Sequence, residues 1–389
     1  MSDTGIGSFD SYWCKLRLKL LIMSSVRVKD LMKFLDDFAP FRLQESYDNS
    51  GLQTGNPETE ITGVLVTLDC TEDVIDEALQ QGCNVVVAHH PVIFNPLKSL
   101  TGHNHVERTI IKAIRSNVSI VAIHTNLDNI KEGVNKAIAD KLGLLNRKIL
   151  APAQGNIYNL VTYVPESHSG DVLDALHAAG AGKIGNYSHC SFRSDGTGSY
   201  LPEGEAEPWL GSKGRLEQVN EVRLEVLVPA YRSEAIMKAL FNSHPYEEVA
   251  YYLTSTLNRN QETGAGMTGD LANPMPVDAF LRHLKTTMKT GLIRHTALCH
   301  KEISKVAICG GSGSFLLKKA IESGSELFIS ADFKYHDFFG AEGKIIIADI
   351  GHFESEQFTK ELLTDALRKK FTNFAVVLSK IDTNPISYF

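Results

Sequence analysis

The segment Asn84-Val85-Val86-Val87-Ala88-His89-His90-Pro91 sets an unbroken apolar run directly against a His-His-Pro step. The run does not alternate, so it reads as a strand buried on both faces, as in a parallel sheet flanked by helices. Neighbouring segments repeat the pattern. Upstream lie the apolar run Ile61–Leu68 and a helical stretch Thr71–Gln80; before them, Val28, Leu31, Leu35 and Phe38 mark one side of a helix over Val28–Phe38. Downstream come a helix Glu107–Arg115, the run Val118–Ile123 and a helix Val134–Lys141. The same rhythm returns near the C-terminus. Strands are expected at Val306–Cys309, Leu327–Ser330, Ile345–Ile350 and Phe374–Leu378, with helices at Phe315–Glu322 and Glu356–Lys369. Short β-branched runs between helical stretches predict an α/β layered fold.

The middle of the chain has a different texture. Two strand–helix units, Asn159–Val164 into Val172–Ala179 and Glu221–Val228 into Glu234–Asn242, flank a glycine-rich polar stretch, Ser194–Lys213. Two such units with further short strands suggest a ferredoxin-like split βαβ module. The expected organisation is an extension of little structure over 1–25 and an α/β core whose first half is 26–154. An α+β insertion follows over 155–260, and the second half of the core is 261–389. Translation from either Met1 or Met23 fits the sequence.

At 389 residues, with 43% hydrophobic and 22% charged residues, the composition is that of a globular protein and excludes a disordered or fibrous chain. A net charge of −7 disfavours a nucleic-acid or anionic-membrane surface. Six cysteines (Cys14, Cys70, Cys83, Cys190, Cys299, Cys309) show no CxxC spacing, which fits a reducing, cytoplasmic protein. No apolar run approaches the roughly 18–20 residues of a membrane span. The Leu20–Met23 patch, preceded by Lys15, Arg17 and Lys19, is too short for a signal peptide.

Three strand ends carry candidate chemistry. His89 and His90 follow one buried run, and His124 and Asp128, in His124-Thr125-Asn126-Leu127-Asp128, follow another. The third is Asp349–Glu356, where His352 and Glu356 stand four apart, the spacing that stacks two side chains on one helix face. With the long helix expected from here, Glu356 would lie in a first turn that favours an anion. Each signal alone has a plain reading: His89 and His90 as satisfied histidines, Asp128 as a turn or cap residue, the spaced pair as chance. Together they deliver imidazole and carboxylate to the edge where open α/β sheets bind ligands. That donor set without thiolate suits zinc, iron, manganese or cobalt. Five ligands exceed one tetrahedral site and suit two divalent ions about 3.5–4 Å apart, as in metal-assisted hydrolysis.

Gly310–Ser314 lies between a strand and a helix, so Gly311, Ser312 and Gly313 are candidates to cradle an anion through their N–H groups. A plain tight turn is the other reading, and no Walker motif is present. In Asp332–His336, His336 is a candidate acid/base residue; alternatively the segment is a surface helix start capped by Asp332. His103 and His105 read as loop residues.

These motifs resemble the GTP cyclohydrolase 1 type 2-like, or NIF-three-like, family. The matching segments are Tyr47–Leu52, Ala88–Phe94, His124–Asn129, Gly310–Ser314, Asp332–His336 and Gly351–Glu356. Gly185–Cys190 and His244–Glu248 look like the family's long form, with an insertion similar to PII and CutA trimers. The resemblance covers about residues 26–389; Ala331 stands where relatives often carry glycine. It implies a dinuclear site of His89, His90, Asp128, His352 and Glu356, and a homohexameric ring with its sites facing an internal cavity. It further implies opening of the guanine imidazole ring of GTP with release of formate. In that reaction His336 or His124 would move protons and the Gly310–Ser314 loop would hold the triphosphate. Metal-dependent hydrolysis of another nucleotide or phosphoester fits the same ligands. The alternative to an enzyme is a non-catalytic, metal-responsive ring or scaffold.

Overall fold

The computed structural model describes residues 25–389. The expected extension and the choice between Met1 and Met23 lie almost wholly outside the described residues. The chain divides into two compact units. One runs to Thr125 and resumes over Thr359–Ser387; the other comprises Asn126–Phe358 with Tyr388–Phe389. The boundaries read from the sequence, near 154 and 260, fall between two sheets within the second unit.

The first unit holds a five-stranded sheet ordered Gly51–Thr54, Ser119–Ala122, Val85–Ala88, Gly63–Thr67, Ala375–Leu378. All neighbours are parallel except the Gly51–Thr54 edge, which runs antiparallel. Val85–Ala88 is buried along its whole length, as its unalternating composition requires. The helix Glu72–Gln80 starts at Thr71, whose side chain accepts from Val74 N, and His105–Arg115 starts at Asn104, which accepts from Glu107 N. Leu65, Ile75, Val86, Ile110 and Ile120 form their shared core. The helix expected over Glu356–Lys369 is two helices, His352–Glu356 and Thr359–Lys370, and only the second belongs to this unit.

The second unit holds a six-stranded sheet in the order Arg294–His295, Ile346–Asp349, Leu327–Ala331, Glu302–Ser312, Asn260–Pro276, Leu145–Ala153. Its central three strands are parallel. The last two strands are unforeseen, and they form the entrance and exit of the middle segment: Asn260 pairs with Ala153, and the antiparallel ladder continues to Asp270 and Leu145. Beyond this ribbon lies a four-stranded antiparallel sheet, ordered Phe192–Tyr200, Glu217–Pro229, Ile157–Pro165, Tyr251–Ser255. Helices Ser169–Ala178 and Ser233–Ser243 pack on one face through Leu160, Leu173, Leu176, Leu224, Ile236 and Leu240. Phe192–Tyr200 corrects the reading of Ser194–Lys213 as a mere separator. Its alternating glycine and polar residues suit an edge strand, which needs no apolar face. No helix among the described residues is long and apolar enough to cross a membrane.

One polar contact ties the C-terminal strand into the first unit. The buried Glu77 carboxylate accepts from Ser379 Oγ at 2.5 Å and from Lys380 N at 2.9 Å. Removing it strands two inward-facing donors, so Glu77→Ala is expected to cost about 1–3 kcal/mol, read from urea unfolding.

Candidate functional site

In the first unit, three adjacent parallel strands end in polar residues: Asp69 after Gly63–Thr67, His89 and His90 after Val85–Ala88, His124 after Ser119–Ala122. His89 N and His90 N still donate to Thr67 O and Leu68 O, at 3.2 and 3.0 Å. Adjacent strand residues would face opposite ways, yet here the two rings lie 4.9 Å apart, and His124 lies 5.4 and 5.3 Å from them. The chain has left its pleat, and all three imidazoles gather at one sheet edge.

Each ring is held through Nδ1. His89 Nδ1 sits 2.8 Å from Ile123 O, His90 Nδ1 2.7 Å from Asp69 Oδ1, and His124 Nδ1 2.8 Å from Asp48 Oδ1. Such contacts fix the tautomer and leave Nε2 as the coordinating atom. Thr383 Oγ1 donates to Asp69, while Thr125 and Ser50 donate to Asp48. Burial works against the Asp48 charge, but the His124 and Thr125 contacts hold its carboxyl far below the usual range. Asp69 is likewise lowered: burial opposes its charge and His90 restores it.

The second unit builds a matching set at the ends of its own parallel strands. Asp332 follows Leu327–Ala331, and His352 and Glu356 follow Ile346–Asp349. His352 Nδ1 lies 2.7 Å from Asp332 Oδ2, and His352 Nε2 lies 3.1 Å from Glu356 Oε2. Asp332 therefore orients His352 and does not cap a helix; Asp337 takes the capping contact, from Lys334 N at 2.9 Å. Glu356 sits at the C-terminal end of a five-residue helix, not in the first turn of a long one, yet the four-residue spacing stacks it on His352 as expected. Burial disfavours protonated His352, but the Glu356 and Asp332 carboxylates prevail and push its pKa up to about 11.

Gly310–Ser314 serves this set from beneath. Residues to Ser312 continue the strand, and a single 3-10 turn, Ser314–Leu316, precedes the six-residue helix Leu317–Glu322. Gly310 N donates to Asn135 Oδ1 at 3.0 Å and Gly311 N to Ser355 Oγ at 2.9 Å, so one of the three expected anion-binding N–H groups, that of Gly311, is committed within the fold. Gly311 has φ +62, and a Cβ there would stand 2.3 Å from Glu356 Oε1. The glycine makes room for the carboxylate. Asn135 also donates to Asp128 O at 3.2 Å, tying the Asp128 turn to the same strand end. Burial first, then the Asp128 and Glu356 carboxylates, raise the buried Cys309 thiol beneath them.

His336 is exposed on the short helical segment Tyr335–Ala341, with Tyr335 and Phe339 as its ring neighbours. Asp48, Asp69 and Asp332 were missed as functional residues. Position could have found them, since each lies near a strand end or inside one of the quoted motifs.

Parallel strands of two units, each ending in carboxylate-oriented histidines, define an α/β protein with histidine–carboxylate clusters at its sheet edges. The profile of the Duf34/NIF3 (NGG1p interacting factor 3) family matches residues 26–385, and the chain belongs to that family. A Staphylococcus epidermidis protein named GTP cyclohydrolase 1 type 2 homolog is 36% identical over 370 residues, covering 93% of this chain and all of the relative. One of the same name from Halalkalibacterium halodurans is 37% identical over 364 residues, covering 92% of this chain and 98% of the relative. Among solved structures, the Bacillus cereus protein related to NIF3 superposes with a TM-score of 0.82 at 34% identity, over 94% of this chain and all of that one.

The raised His352 value has a measurable consequence in metal-free protein. Its unfolded reference is 6.5 and its folded value about 11, so the stabilisation from the Asp332–His352–Glu356 contact is full below pH 6.5 and is lost as pH climbs through 11. NMR of the His352 ring should show an imidazolium still present at pH 8. Asp332→Asn should lower its titration midpoint.

Proposed function

We propose that the chain is a metal-dependent hydrolase with His89, His90, Asp128, His352 and Glu356 as its metal ligands. The observation that carries this reading is the three Nδ1 contacts of the ligand histidines, from Asp69, Asp332 and Ile123 O, each leaving an imidazole Nε2 as the coordinating atom. Structural histidines do not require that arrangement three times over. The donors fit two divalent ions of zinc, iron, manganese or cobalt, and Gly311 keeps the space that Glu356 occupies. Bound there, such ions would supply Lewis-acid activation of water and of a polarised substrate atom.

The family relatives' name supports GTP, or a related nucleotide or phosphoester, as substrate, with formate as the product of ring opening. Tyr47 and Phe94, exposed and tilted at 6.3 Å, offer faces for a planar base beside His124, which lies 6.2 Å from Phe94. His124, oriented by Asp48, is the favoured proton carrier. Exposed His336 is the second candidate, and the remaining part of the Gly311–Gly313 segment is a candidate for anion contact. We read 155–260 as a ferredoxin-like insertion within a core formed by 26–154 and 261–389. Phe192 and Tyr252, exposed on the sheet face opposite its helices, support self-association, and we propose a homohexameric ring. The five described cysteines are free thiols, consistent with a cytoplasmic protein.

Metal-loaded protein incubated with GTP should release formate, followed by NMR, and Asp128→Ala should abolish release while the fold persists by circular dichroism. Tight metal uptake without turnover of nucleotides or phosphoesters would favour a metal-responsive assembly. Separately, Asp332→Asn should weaken metal affinity about 10–100-fold, measured by competition with a chelator, with the circular dichroism spectrum unchanged.

A further inference from the structure

Among the described residues, the four-stranded sheet has one face covered by helices and one that is not. On the second face Tyr163, Arg223 and Ser194 share a row, with Glu221 and Gly196 in the next. The segment between the strands Phe192–Tyr200 and Glu217–Pro229 helps enclose a cleft of about 570 Å³ against that face. This is within the size range of small-molecule sites. Two contacts hold the segment in place: Tyr200 Oη donates to Leu210 O at 2.8 Å, and Glu207 N donates to Glu247 Oε1 at 2.7 Å.

The walls are aromatic and the polar groups mostly acidic. Tyr163, Tyr200, Trp209 and Tyr246 line the cleft, with Tyr246 ring centroids 6.0 Å from Tyr200 and 6.1 Å from Trp209. Tyr246 Oη donates to Glu221 at 2.8 Å, fixing ring and carboxylate together. Glu247 and Glu248 add two more carboxylates. The basic lining residue is Arg223, and its guanidinium is paired with Glu225 at 2.5 Å. At Gly196 a Cβ would meet nothing within 4 Å, so the cleft floor there is open space.

Ring faces carry negative quadrupole potential and attract cations. Three carboxylates around such rings, with the one guanidinium already paired, disfavour an anionic ligand and favour a positive one. The apolar walls suit a cation with a hydrocarbon body over a bare metal ion, which would demand a close cage of oxygens. We propose that this cleft binds a compact organic cation of the alkylammonium class, held over Trp209 and Tyr246 and neutralised by Glu221. The Tyr246-Glu247-Glu248 step, which the metal chemistry leaves unused, belongs to this site.

Choline and its neutral carbon isostere, 3,3-dimethyl-1-butanol, separate charge from shape. Calorimetric titration of the full-length protein should give saturable choline binding, with the isostere about tenfold weaker. Trp209→Ala, at an exposed position, and Gly196→Val, which fills the floor, should each weaken choline about tenfold. Glu221→Gln should weaken it while leaving the circular dichroism spectrum unchanged. The proposal is overturned by absence of saturable choline binding, by equal binding of the isostere, or by variants that bind as the parent does. It is equally overturned if Trp209→Ala changes the oligomeric state in sedimentation and leaves choline affinity untouched, because the cleft would then be a seat for a second copy.

Discussion

A parallel strand buried on both faces has no polar side on which to place chemistry, so reactive groups must wait until the strand ends. That constraint organises both units. In each, consecutive parallel strands deliver an aspartate and one or more histidines to the same edge: Asp69, His89, His90 and His124 in one, Asp332, His352 and Glu356 in the other. The strands supply position and the aspartates supply orientation. Each imidazole is locked by a partner from a different strand end or connection, so ring geometry depends on sheet register and not on any one loop.

The electrostatics follow from the same crowding. Carboxylates brought under partial burial would ordinarily resist ionisation, yet the histidine contacts keep Asp48, Asp69 and Asp332 charged. The negative charge in turn favours a cation at the rings. Without a metal the proton takes that role, most visibly at His352. With a metal, the proton is the competitor that must leave.

Much of this was legible in the residues. Unalternating runs located the parallel strands, and four-residue spacing paired His352 with Glu356, because both signals are local and periodic. The orienting aspartates were harder to read. Asp48 meets His124 across 76 residues and Asp332 meets His352 across 20, and a single Asp beyond a strand has the same local signature as a cap. The strands Leu145–Ala153 and Asn260–Pro276 also escaped notice. Their glycine, proline and charged residues blur the period of two, and their pairing joins segments more than a hundred residues apart. The helix expected over Glu356–Lys369 breaks between Glu356 and Thr359, within a sequence whose apolar spacing carries no sign of the interruption.

The ribbon made by those two strands has a topological meaning. The chain leaves for the four-stranded sheet at Ala153 and returns at Asn260, and those two residues are direct partners across one rung. Everything between them is thus a detour from a hairpin. A turn of two to five residues would bridge the rung and leave the six-stranded sheet with the same strands in the same order. The order and register of the sheet that carries Asp332 and His352 are therefore set by strands on either side of that detour.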